Sequence, residues 1–195
     1  MTFANDNIFT IMMNERKNKP NDPNFFHFPI NTEIFSTQIH HAAFLLGYSY
    51  FEAYLGDLAK DIYLSNPKML PKNKQLNFQD ILEKDTFEDL IEFMITKEIT
   101  PVFFQSMDKI SDYFSDKFKL EWPEQQKCKM IEASLIRNCL MHNDSVVDEK
   151  LSKIPGYALS EVISLSAEVI HNFGNEARSL SKELDEKAKN KYKLQ

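Results

Sequence analysis

Between residues 33 and 64 the apolar positions Ile34, Ile39, Ala42, Leu46, Phe51, Leu55, Leu58 and Ile62 recur mostly three, four or five apart. That spacing predicts one long amphipathic helix, about 45 Å from end to end. Two prolines in the polar stretch "SNPKMLPKNKQ" end it. Helical periodicity resumes from about Phe78 to Lys97, with a restart at "DTFE", where Asp85 and Glu88 have capping-box spacing. Thr100 and Pro101 read as an N-cap and a first-turn proline, opening a helix to about Phe118. Pro123 opens another, which sets Cys128, Ile131, Leu135 and Cys139 on one stripe and ends near Met141. After the loop "HNDSVVDEKLSKIPG" a last helix is predicted from about Ala158 to Leu184, fraying into a charged tail.

Nothing alternates with period two for long, and the chain has only four glycines. The pattern therefore predicts an all-α fold, a helical bundle of four to five helices with a long antiparallel pair at its centre. Residues 1–31, with three prolines among polar residues, are expected to form an irregular N-terminal leader. Residues 32–186 are expected to form the helical domain, and 187–195 a charged, frayed C-terminal tail.

Composition narrows the function. A chain of 195 residues with 43% hydrophobic residues has enough apolar material for one core. Its net charge of −6 argues against a general polyanion-binding surface, so any nucleic-acid contact must be local. Cys128 and Cys139 lie in one predicted helix, about 16 Å apart at the helical rise, too far to bridge. A reduced, cytoplasmic protein is the expectation. The first residues carry Asp6 and no basic stretch before their short apolar run, unlike a signal peptide. The longest oily run, "AAFLLGYSYF", is half a membrane span and is followed by Glu52, so no membrane partner is expected. His40 and His41 face different ways on a helix, no Cys/His cluster has zinc spacing, and no glycine-rich phosphate loop is present. The reading is of a protein with no metal and no cofactor.

The chemistry concentrates in "RNCLMHND", residues 137 to 144. Arg137, Asn138 and His142 close an otherwise oily segment, although the chain has only three arginines and five histidines. A buried guanidinium without a partner is costly, so Arg137 has either a partner or an exposed target. On an ideal helix Asn138 and His142 share a face, while Arg137 points about 140° away from His142. Both can address one small target only if the helix ends before His142, which "HND" permits, or if a second copy of the chain supplies the complement. Ile136, Leu140, Met130 and Met141 leave this helix apolar almost all round, which predicts a subunit interface and a homodimer. Histidine suits proton transfer near neutral pH, and arginine suits a phosphate oxygen or the charge of a phosphorane-like transition state. Asn138 can orient the imidazole or hold a phosphate oxygen. Glu52, between Phe51 and Tyr54, is read as a structural hydrogen-bonding group or as a supporting partner for Arg137 or His142.

Arg137, Asn138 and His142 resemble the R-polar-x(3–5)-H motif of the HEPN superfamily, and "YSYFEAYLGDLAKDIYLSNPKML" is similar to the long helix and following loop of its RiboL-PSP-associated group. The resemblance implies an HEPN-like bundle and a metal-independent endoribonuclease that works as a homodimer in a bacterial toxin–antitoxin, phage-defence or stress role. RNA would be its substrate, and an antitoxin or regulatory protein its partner. It further implies Arg137 as phosphate clamp, His142 as acid and base, and Asn138 as support. HEPN toxins controlled by AMP addition often carry a tyrosine two residues after the histidine; here Asp144 stands there, which argues against that control. The alternative is a non-catalytic HEPN-like dimer that binds RNA or protein.

Overall fold

The computed structural model of the chain describes residues 32–72 and 75–194. The expected leader, residues 1–31, lies outside the described residues. The chain divides into two compact units, Met1–Ser36 and Thr37–Gln195; of the first, only the opening of a helix is described. Six α-helices follow one another among the described residues: α1 Thr32–Ser65, α2 Phe78–Leu82, α3 Phe87–Phe103, α4 Met107–Phe118, α5 Glu124–His142 and α6 Ala167–Tyr192. The fold is all-α, and its only strand-like feature among these residues is an isolated antiparallel bridge, Val146 to Val162.

α1 forms as one 34-residue helix, but its inner face differs from the expected one in its first half. His41, Phe44 and Tyr48 are buried, while Ile39, Ala42 and Leu46 face outward. The helix is apolar on both sides here, and the side carrying the rings won: Phe44 and Tyr48 pack on Phe173 of α6, at centroid distances of 5.0 and 6.1 Å. Further along, Phe51, Leu55 and Ile62 turn inward as predicted. Edge-to-face contacts of Phe51 and Phe114 with Trp122, and of Tyr63 and Phe114 with Phe118, tie α1 to α4.

The two longest helices, α1 and α6, do not make an antiparallel pair with each other. Phe44 meets Phe173, and Tyr54 reaches Ser181 and Asp185, so contacts rise together along both helices and α1 runs parallel to α6. The Tyr54 hydroxyl shares its proton between the Ser181 carbonyl oxygen and Asp185 Oδ1, each 2.8 Å away. The antiparallel neighbour of α6 is the shorter α5, where Gln126 bonds Ser179 and Lys129 pairs with Glu176 at 2.9 Å.

Three helix boundaries differ from those read in the sequence. Two overlapping capping pairs precede α3, and the structure uses the second: the Asp89 amide donates to Thr86 Oγ1 and the Thr86 amide to Asp89 Oδ2, both at 3.1 Å. Pro101 does not open a helix; it sits in the last turn of α3, because buried Ile95, Glu98 and Val102 continue one inward stripe through it. α4 begins instead after Ser106. The last helix starts at Ala167, capped by Ser166, not near Ala158. Residues 143–166 are a compact loop whose Val147, Leu151, Ile163 and Leu165 are buried.

The expected frayed tail is also corrected. α6 continues to Tyr192, with Ala188 fully buried and the Tyr192 hydroxyl donating to the Phe118 carbonyl at 2.7 Å. Lys187 Nζ donates to the Glu121 carbonyl at 2.7 Å. Anchors of this kind hold a terminal turn that composition alone marks as solvated.

Candidate functional site

α5 is fixed from several sides before its candidate residues are reached. Lys127 bonds Asp112 of α4 at 2.9 Å, and the bonds to α6 hold the same half of the helix. Met130, Ala133, Ser134, Ile136 and Cys139 are buried, while Ile131, Leu135 and Leu140 are partly covered by the same core. Cys128, expected on the inner stripe, is exposed. One chain therefore covers most of the apolar surface from which a subunit interface was predicted, leaving Met141 exposed at the end.

Arg137 has found a partner. Its Nη1 donates to Asn138 Oδ1 at 3.0 Å, and its Nη2 stands 3.9 Å from Glu52 Oε2 on α1. The guanidinium carbon lies 5.9 Å from the centre of the Tyr48 ring. Tyr48 is buried one helical turn before Glu52, and its hydroxyl lies against Ser134 and Glu52. Burial raises the tyrosine's pKa, keeping the hydroxyl protonated. Burial also raises the Glu52 carboxyl, against the pull of the Arg137 charge and of the Tyr48 hydroxyl. Tyr48 was missed in the sequence; its position four residues before Glu52 was the available signal.

Glu52 thus supports Arg137 and makes no bond to His142. A separation of 3.9 Å is too long for a charge-assisted hydrogen bond, which falls near 2.7–2.9 Å. The Arg137 and Glu52 side chains keep 35% and 28% of their exposure, so water still reaches both. Five donors serve these two contacts, so the partly exposed guanidinium keeps donors to spare.

His142 is placed differently. It is the last residue of α5, and its exposed side chain makes no hydrogen bond or ion pair with another described residue. Asn138, expected to steady the imidazole, bonds Arg137 instead. The helix ends after His142, where the Asn143 and Ser145 amides both donate to the Cys139 carbonyl at 3.1 Å and Asp144 and Ser145 adopt positive φ. That removes one of the two ways in which Arg137 and His142 could meet: within a single chain the unbroken helix keeps them on different sides. Among the described residues no His, Cys, Asp and Glu side chains group as metal ligands, and no helix is long and apolar enough to cross a membrane.

Compared with protein-family models, with curated proteins and with solved structures, the chain matches none.

Proposed function

We propose that the chain is a metal-independent endoribonuclease of the HEPN type, working as a homodimer in a bacterial toxin, defence or stress role. The observation that carries this reading is the partly exposed Arg137 fork, oriented by Asn138 and only loosely paired with Glu52 at 3.9 Å, on the same helix as an exposed His142. Arg137 of one copy would grip the non-bridging oxygens of a phosphodiester, and His142 of a second copy would serve the reacting groups. The ribose 2′-hydroxyl gives its proton to the neutral imidazole and attacks the adjacent phosphorus. The bond from phosphorus to the 5′-oxygen breaks, and that oxygen leaves with a proton from the imidazolium or from water. The products are a 2′,3′-cyclic phosphate and a 5′-hydroxyl, so no water need be activated in the cleaving step.

The composite site has a direct test in mixed variants. Arg137→Ala and His142→Ala chains are each inactive in this account, but a dimer of one of each contains one site with both groups intact. Mixing the two after unfolding and refolding together should restore a substantial part of the wild-type activity. If the mixture stays as inactive as its components, the site is not shared between copies.

A second reading, a non-catalytic dimer that binds RNA or protein, has one observation in its favour: Arg137 already has partners within its own chain. It predicts that RNA is bound and left intact.

A further inference from the structure

α2 is turned inside out. Its Asp80 faces the body of the protein, held by Lys97 of α3 at 3.1 Å. Phe78 and Leu82, one turn apart, lie about 160° around the helix from Asp80 at 100° per residue. They are 85% and 83% exposed, and Phe87, just beyond the turn that follows, is 70% exposed. Single exposed apolar residues are ordinary, but Phe78 and Leu82 share one face of one helix, and Phe87 follows as an equally large exposed side chain at the start of the next.

The charge around this patch says what it fits. Residues 78–92 hold six carboxylates and one lysine, so they carry −5 of the chain's −6 and leave −1 for all other residues. Lys97 and Lys60 answer Asp80 and Glu92, and the one lysine of the stretch, Lys84, lies over the Phe93 ring at 4.5 Å. Glu83, Asp85, Glu88 and Asp89 remain exposed around the apolar side chains. Such a rim repels the phosphates of RNA and anionic lipid. Two copies of the chain meeting through it would set like charges against each other.

We propose that the α2 face carrying Phe78 and Leu82, extended by Phe87, docks a protein partner through a cationic amphipathic segment, with lysines or arginines set around a few large apolar side chains. The apolar residues supply the affinity and the acidic rim supplies steering and choice of partner. This surface shares no residue with the Arg137 and His142 site. It also accounts for an acidic chain whose remainder is nearly neutral.

The test uses the full chain and a fluorescent peptide of about 18 residues, five helical turns, patterned with leucine on one side and lysine on the other. A leucine–glutamate peptide of the same pattern serves as control. The lysine peptide should bind saturably, one per chain, and more weakly at about 0.5 M than at about 0.05 M salt. The Phe78→Ser/Leu82→Ser variant, folded by circular dichroism, should bind it at least about tenfold more weakly. The absence of saturable binding, or wild-type binding by the double variant, overturns the proposal. So does self-association lost in that variant, which would make a second copy the occupant, or equal binding to anionic vesicles. The readout contains no RNA, so its failure leaves the ribonuclease reading untouched, and failure of that reading leaves this surface standing.

Discussion

Arg137 stands closer to Asn138 than to Glu52: its bond to the neutral amide is 3.0 Å, and its approach to the carboxylate is 3.9 Å. A guanidinium arranged this way is oriented by the neutral amide and only loosely paired with the carboxylate. Arg137→Lys retains the charge, loses the planar fork and cannot hold the same direction. RNA cleavage by this variant should fall by about 10²-fold or more, the scale of losing one transition-state donor, with a melting temperature close to wild type. An unchanged rate would mean that only the charge matters.

Glu52 allows the structural and functional readings to be separated by pH. Because burial raises its carboxyl above the ordinary range, the folded chain holds that proton more tightly than the unfolded chain does. Stability therefore falls as pH rises from the ordinary carboxylate value through the raised one. Glu52→Gln should be at least as stable as wild type at pH 7, with any advantage fading near about pH 4. Thermal melts at the two pH values check this. A Gln variant markedly less stable at pH 7 would make the pair with Arg137 a structural strut.

His41 carries the opposite sign. Its imidazole is buried, with Nε2 3.2 Å from the Ile163 carbonyl oxygen, which ties α1 to the loop before α6. Burial lowers its pKa, against the pull of the Ile163 carbonyl and with help from neighbouring His40, so the unfolded chain takes up the proton first as pH falls. The His41 contribution is intact above about pH 6.5 and is lost progressively below it. Melting temperature should drop on acidification through that range, and His41→Gln should flatten the drop. Parallel curves for the two proteins would exclude His41 as the cause.

The end of α6 should matter to stability. Tyr192→Phe removes the bond to the Phe118 carbonyl and should cost about 1 kcal/mol, a shift of about 2–4 °C in a chain of this size. Deleting residues 187–195 also strips buried Ala188 and should cost more. Calorimetry with both changes silent would restore the frayed tail that composition predicts.

The all-helical class, the long first helix and the extent of α5 were legible because apolar periodicity and Pro123 record them directly. The inner face of α1 was not, since apolar residues occupy both sides of its first half and only packing against Phe173 chooses between them. Thr100–Pro101 misled for a similar reason: a local start signal yielded to the burial of Val102. Within the site, Glu52 beside Arg137 was one of the partners that sequence allowed, whereas the place of Tyr48 depends on how α1 crosses α5, and the bond from Arg137 to Asn138 on the side-chain conformation that Arg137 takes there. The short pairing of residues 145–147 with 160–163 was too brief to leave a period-two pattern.

The central claim is that this chain cleaves RNA through Arg137 and His142 without a metal. Purified protein incubated with total RNA in EDTA, beside a His142→Ala control, tests it most directly, with product ends identified by mass spectrometry. Cleavage that EDTA does not slow is expected, with fragments ending in 2′,3′-cyclic phosphate and 5′-hydroxyl and a loss of at least about 10²-fold in the control. RNA left intact by the wild-type protein, or cleaved equally by the His142→Ala protein, would contradict it.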